Sequence, residues 1–106
     1  MVLKKWVAGL ALGALFSGVA CAGTTEDAEL LLKQGKPAEA MALLDNDLPA
    51  NAGNVRYNYL LGIASLDAGK PGNAVLAFER ALALNPQQPL VRAELARALI
   101  ELADFE

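Results

Sequence analysis

From residue 25 onward the apolar positions recur at helical intervals. Tyr57, Leu60, Leu61, Ala64 and Ala68 fall at i, i+3, i+4, i+7 and i+11, and Ala74, Ala77, Phe78, Ala81 and Leu82 form a second stripe of the same kind. Such spacing describes helices that bury one face, not strands. Glycine and proline punctuate the stripes. Gly35 and Gly69 stand where a helix stops on a left-handed residue. Pro37 and Pro71 follow two residues later at the first position of a new helix, where a fixed φ helps and a missing N–H costs nothing. The pattern predicts helices over about 25–34, 37–47, 54–68, 71–84 and 89–102. Thr24 is placed to cap the first of them, with Asp27 three residues on as a short-armed capping-box partner. The second helix is expected to end before Pro49, and Asn85-Pro86 to break the fourth. A composition rich in alanine and leucine and poor in β-branched residues agrees with an all-α body.

The same pattern repeats. GKPAEAMALL, residues 35–44, returns as GKPGNAVLAF, residues 69–78, an offset of 34. Laying 21–54 over 55–88 pairs Leu31 with Ser65, Gly35 with Gly69, Pro37 with Pro71, Ala40 with Ala74 and Leu44 with Phe78. A further step of 34 brings Leu95 under Leu61, Ala96 under Gly62 and Ala103 under Gly69. Each unit reads as a helical hairpin, with Gly62 and Ala74 small enough to let its two helices touch. A period of this length marks a stacked array in which each hairpin buries its faces on its neighbours.

Numbered from Val55, the middle unit resembles a tetratricopeptide repeat. Leu61-Gly62 matches the family's Leu-Gly pair, Ala74 its small crossing residue, Phe78 its second-helix aromatic, Ala81 the small position after it and Pro86 its terminal proline. Asn58 and Ser65 depart from the pattern, where Trp and Tyr are usual. The first unit matches only from Leu31 onward, and the third offers Leu95, Ala96, Leu99 and Asp104-Phe105-Glu106, read as the opening of an inter-helix turn. The resemblance implies a short α-α superhelix over residues 24–106: a degenerate repeat at about 21–54, a full one at 55–88 and a half repeat at 89–106. It also implies a concave groove lined by the first helices. In the middle unit its positions are Arg56, Tyr59, Ile63, Leu66 and Asp67, and in the third Ala93, Arg97, Ile100 and Glu101. Arg and Tyr are the types that anchor interfaces, which singles out Arg56, Tyr59 and Arg97. Tyr59 and Ile63 occupy positions where some relatives carry a carboxylate clamp, so that specialised use is not implied.

The first 22 residues have another character. Lys4 and Lys5 precede an apolar run from Trp6 to Ala20, and Ala20 and Ala22 supply the small-residue pattern that signal peptidase cuts after. They predict a signal peptide and a periplasmic chain. Gly18-Val19-Ala20-Cys21 loosely resembles a bacterial lipobox, which would make Cys21 an acylated N-terminus and the chain an outer-membrane lipoprotein. The glycine three residues before the cysteine departs from the large aliphatic usual there. The last helix carries a stripe of Val91, Leu95, Leu99 and Leu102. Part of it is expected to cover the preceding hairpin and the rest, with Leu90, Ile100 and Phe105, to be exposed. The Ala103–Glu106 turn opening leads us to expect a piece of a longer repeat protein.

Charge and chemistry narrow the function. The formal net charge is −3, and loss of the signal's two lysines makes it more acidic, so a nucleic-acid partner, which needs a basic face, is not expected. There is no histidine and one cysteine, which leaves no imidazole base, no histidine metal ligand and no disulfide. Glu26, Asp27 and Glu29 cluster at a helix start, where they meet the dipole favourably. No cofactor, metal or catalytic activity is expected. The function predicted is a non-catalytic scaffold for a protein or peptide partner, touching the membrane only through the signal or a lipid on Cys21. The alternative is the periplasmic repeat head of an outer-membrane assembly or secretion component.

Overall fold

The computed structural model describes residues 23–105; the expected signal, its cleavage junction and Cys21 lie outside them. The described residues form six helices: α1 (Thr24–Lys33), α2 (Pro37–Asn46), α3 (Leu48–Asn51), α4 (Val55–Asp67), α5 (Pro71–Leu84) and α6 (Pro89–Phe105). No strand occurs among them.

The two copies of the GKP phrase make two copies of one connector. Gly35 and Gly69 have φ of 75° and 81°. After α1, the N–H of Gly35 bonds to the Leu32 carbonyl and that of Lys36 to the Leu31 carbonyl; after α4, Gly69 and Lys70 bond likewise to Leu66 and Ser65. This 6→1, 5→2 pair satisfies carbonyls that the helix end would leave bare. Lys36 and Lys70 then cap the next helix through their own carbonyls, which accept from Ala40 and Ala74. Each hairpin therefore turns in the least chain possible, and the antiparallel helices α1–α2 and α4–α5 follow from it.

Three details differ from the sequence expectation. Thr24 lies inside α1, which starts after Gly23 without a side-chain cap; its hydroxyl instead donates to Asp47 Oδ2 at 2.6 Å, across to the end of α2. Helix α2 ends at Asn46, before Pro49 as expected, but the chain then makes an unexpected extra turn, α3, with the proline in its first turn, where a missing N–H is tolerated. Helix α6 continues through Ala103 and Asp104 to Phe105 instead of opening a turn. The start of α4 is capped by Asn54, whose Oδ1 accepts from the Tyr57 N–H at 2.9 Å.

Two buried clusters run through the stack. Ala28, Ala40, Leu44, Tyr57, Leu60, Leu61, Ala64 and Ala77 unite α1, α2 and α4 with one residue of α5. Leu66, Ala74, Phe78, Ala81, Val91 and Ala98 join α4, α5 and α6. The small residues set the spacing. A Cβ on Gly62 would lie 2.7 Å from Cζ of Phe78 and closer to two other ring atoms, so the bare backbone of α4 is the seat of that ring. On α6 the core takes Val91 and Ala98, while Leu99 falls on the uncovered part of the apolar stripe and is 48% exposed. Leu90 and Ile100 are exposed as expected.

The two departures from the family pattern are both fully buried. Asn58 is well satisfied: its Nδ2 donates to the carbonyls of Ala52 and Asn54 at 2.9 and 2.8 Å, and its Oδ1 accepts from Arg80 at 2.7 Å. It ties the loop before α4 to α5. Ser65 has no such network.

Candidate functional site

Helices α1, α4 and α6 lie side by side, and charged residues bridge them on one face. Arg56 on α4 pairs with Glu29 on α1. Arg97 on α6 reaches Asp67 on α4 at 3.3 Å, and also Glu94 and Glu101 within its own helix at 3.1 and 3.3 Å. Partial burial lowers the Arg97 guanidinium's proton affinity, but Glu101, Glu94 and Asp67 outweigh it, and its pKa stands above the usual arginine value. These exposed pairs contribute little stability. Their effect is to fix two long side chains across the seams and to leave carboxylates in excess on that face.

Between α4 and the start of α6 this face opens into a cleft of about 360 Å³, lined by Val55, Arg56, Tyr59, Gln88, Leu90 and Val91. Its walls are mostly apolar, with one guanidinium at the edge, a shape suited to an apolar side chain held beside a polar backbone. Tyr59 forms the back wall. Its ring packs against Phe78 at a centroid distance of 6.2 Å and an angle of 47°, a tilted contact typical of stable aromatic pairs. Burial, and next the carboxylate of Glu94, raise its phenol above the ordinary tyrosine pKa, so the hydroxyl is a neutral donor in this cleft.

Of the residues expected in the groove, Arg56 and Tyr59 line the cleft. Ile63 packs at the edge of the second cluster, and Arg97 lies on the same face, held by carboxylates. Leu66 does not belong to the surface. It is 3% exposed and packs in the second cluster with Phe78 and Val91, so it supports α6 and offers nothing to a partner. The sequence reading passed over Gln88, Leu90 and Val91 as wall residues. The repeat held the signal, because Leu90 stands 34 residues after Arg56 and so at the same register. Among the described residues no group of three His, Cys, Asp or Glu is placed to hold a metal ion, and no helix is long and apolar enough to cross a membrane.

Residues 65–106, from the last three residues of α4 through α6, match the model of the tetratricopeptide repeat family. Residues 65–106 are of the tetratricopeptide-repeat type. No curated protein and no solved structure gives a significant match. The matched segment contains the α5–α6 stack and the GKP connector of the middle unit. A copy of that connector 34 residues earlier joins α1 to α2 with the same hydrogen bonds. Repeats of this type act as protein-interaction scaffolds and are generally non-catalytic.

Proposed function

We propose that this tetratricopeptide-type chain is an exported, periplasmic, non-catalytic adaptor that holds a protein or peptide partner along the concave face of α1, α4 and α6. The observation that carries the reading is the cleft between α4 and α6, which sets Tyr59 and Arg56 beside Leu90 and Val91. A tyrosine anchor, a guanidinium and exposed aliphatic side chains in one concavity are what an interface centre needs. Export rests on the lysine pair, apolar run and small-residue junction within residues 1–22.

Affinity capture from a periplasmic extract, compared between the native chain and an Arg56→Glu, Tyr59→Ala double variant, tests the groove. The native chain should retain a partner that the variant loses, by about tenfold or more for removal of two central anchors. A partner retained equally by both would place the interface elsewhere. Cys21 favours a second reading, an acylated outer-membrane lipoprotein. Mass spectrometry of the mature N-terminus separates the two, since an unmodified Gly23 start fits signal peptidase cleavage and an acylated Cys21 start fits the lipoprotein.

A further inference from the structure

The face shared by α4 and α6 changes character along its length. Leu90, Glu94, Arg97 and Glu101 fall at i, i+4, i+7 and i+11 of α6 and so form one stripe. Arg56, Tyr59, Ile63 and Asp67 form a matching stripe on α4. The two helices run in the same direction, since Tyr59 and Leu90 line one cleft near their starts and Asp67 meets Arg97 further along both. The cleft end is mostly apolar, and its guanidinium, Arg56, is taken by Glu29. The far end is acidic. Asp67, Glu94 and Glu101 converge on the single guanidinium of Arg97, an excess of two negative charges. Arg97 bonds one oxygen of each carboxylate. The side chains of Asp67 and Glu101 stay 43% and 40% exposed, so both can accept from a further donor. Lys33, the α1 residue in the register of Asp67, forms no ion pair with it among the described residues. The spacing of the carboxylates does not suit a metal ion; it suits a second long cationic side chain lying beside Arg97.

Resting on the reading of the cleft as the binding surface, we infer that its partner is an extended polypeptide segment with one apolar side chain for the cleft and a lysine or arginine for the acidic end. The apolar walls select the first side chain, and charge complementarity selects the second. Their separation follows from helix geometry. Glu94 lies four residues and Glu101 eleven residues beyond Leu90, about 6 and 16 Å along the axis of α6. An extended segment covers about 3.3 Å per residue. The cation therefore stands roughly two to five residues from the apolar side chain. A free amine or a lone apolar ligand uses only one end of this face, whereas a polypeptide spans both. An acidic segment of the same shape meets the carboxylates as repulsion.

The test is titration of the full ¹⁵N-labelled chain with terminally blocked peptides: Leu-Gly-Gly-Lys, the reversed Lys-Gly-Gly-Leu, both with glutamine or glutamate in place of lysine, and Gly-Gly-Gly-Lys. The better lysine peptide should shift the amides of Tyr59, Leu90 and Glu101. At low salt it should bind roughly fivefold more tightly than its glutamine counterpart, the upper range for an exposed ion pair, and the glutamate peptide should bind weakest. The preference should shrink as added salt screens it and vanish in an Asp67→Asn, Glu101→Gln double variant. Tyr59→Ala should weaken the lysine and glutamine peptides alike. Silence of those amides with every peptide, or equal binding by Gly-Gly-Gly-Lys, overturns the cleft as the binding surface and this partner with it. Equal affinity of the lysine and glutamine peptides, or a preference that survives the double variant, leaves the cleft standing and overturns its basic partner.

Discussion

Gly62 and Phe78 set how closely α4 and α5 approach, and each is intelligible only through the other. The ring lies where a side chain on residue 62 would be, and both residues are buried. Gly62→Ala should therefore destabilise the fold by about 1–3 kcal/mol, the usual penalty for an extra methyl in a packed core, even though alanine favours helix over glycine. Urea denaturation followed by circular dichroism measures it. The loss should shrink when Phe78→Leu is already present, because the smaller side chain vacates the methyl's place. Strictly additive losses would mean that the ring is not the obstacle. That residue 62 must be small was legible in the sequence, and the atom that makes it so was not. The same holds for Asn58. Its burial is stabilised by Arg80, 22 residues further on, and no local pattern announces a partner at that distance. Leu66 was misplaced for the opposite reason. Its register suits a groove, but the arrival of Val91 and Ala98 from α6 covers it.

At the level of elements, what is local was legible and what depends on crossing helices was not. Both GKP connectors follow from glycine's freedom at positive φ and proline's fitness for a first turn, so α2 and α5 begin where the sequence places them. Thr24 carries the residue type of a cap, yet it spends its hydroxyl on Asp47, a group brought near by the α1–α2 hairpin. The short α3 was missed because proline reads equally as a stop and as a helix start. Tyr57 shows what a contact between elements adds: its hydroxyl donates to the Leu44 carbonyl at 2.6 Å and fastens α4 to α2. Burial, then Asp47 and Asp45, raise its pKa above the ordinary 10.0. Only the neutral phenol can donate, so its contribution is complete below the unfolded value and is lost as pH rises through the folded one. Thermal stability should stay flat to about pH 9 and fall above about pH 10. Tyr57→Phe should cost about 1 kcal/mol at neutral pH and remove much of the alkaline decline, with Tyr59, shifted the same way, supplying the remainder. An unchanged alkaline slope in Tyr57→Phe, read by thermal melts across that range, would detach the decline from this contact.

Across the whole molecule the two clusters meet on one hairpin. Tyr57, Leu60, Leu61 and Ala64 of α4, with Ala77 of α5, belong to the first; Leu66 of α4 and most of the buried face of α5 belong to the second. Helices α1 and α2 reach only the first, and α6 only the second. In a stack whose stability is a sum of nearest-neighbour terms, the central hairpin is held from both sides and each outer element from one. Amide hydrogen exchange should therefore be slowest in α4 and α5 and graded outward, with α1 and α6 opening at lower free energy than the whole. The sharper expectation is directional. Leu44 is fully buried in the first cluster, and Leu44→Ala should cost about 2–5 kcal/mol there. Exchange should then accelerate by tenfold or more in α1 and α2 while the face of α6 against α5 changes much less. Equal acceleration in α1 and α6 would show that the stack opens only as one unit. Graded opening bears directly on binding, because the α4–α6 cleft is built half from the best-held helix and half from one secured on a single side. A partner that seats on Tyr59 and Leu90 together would tie α6 to α4 and slow exchange in α6 first.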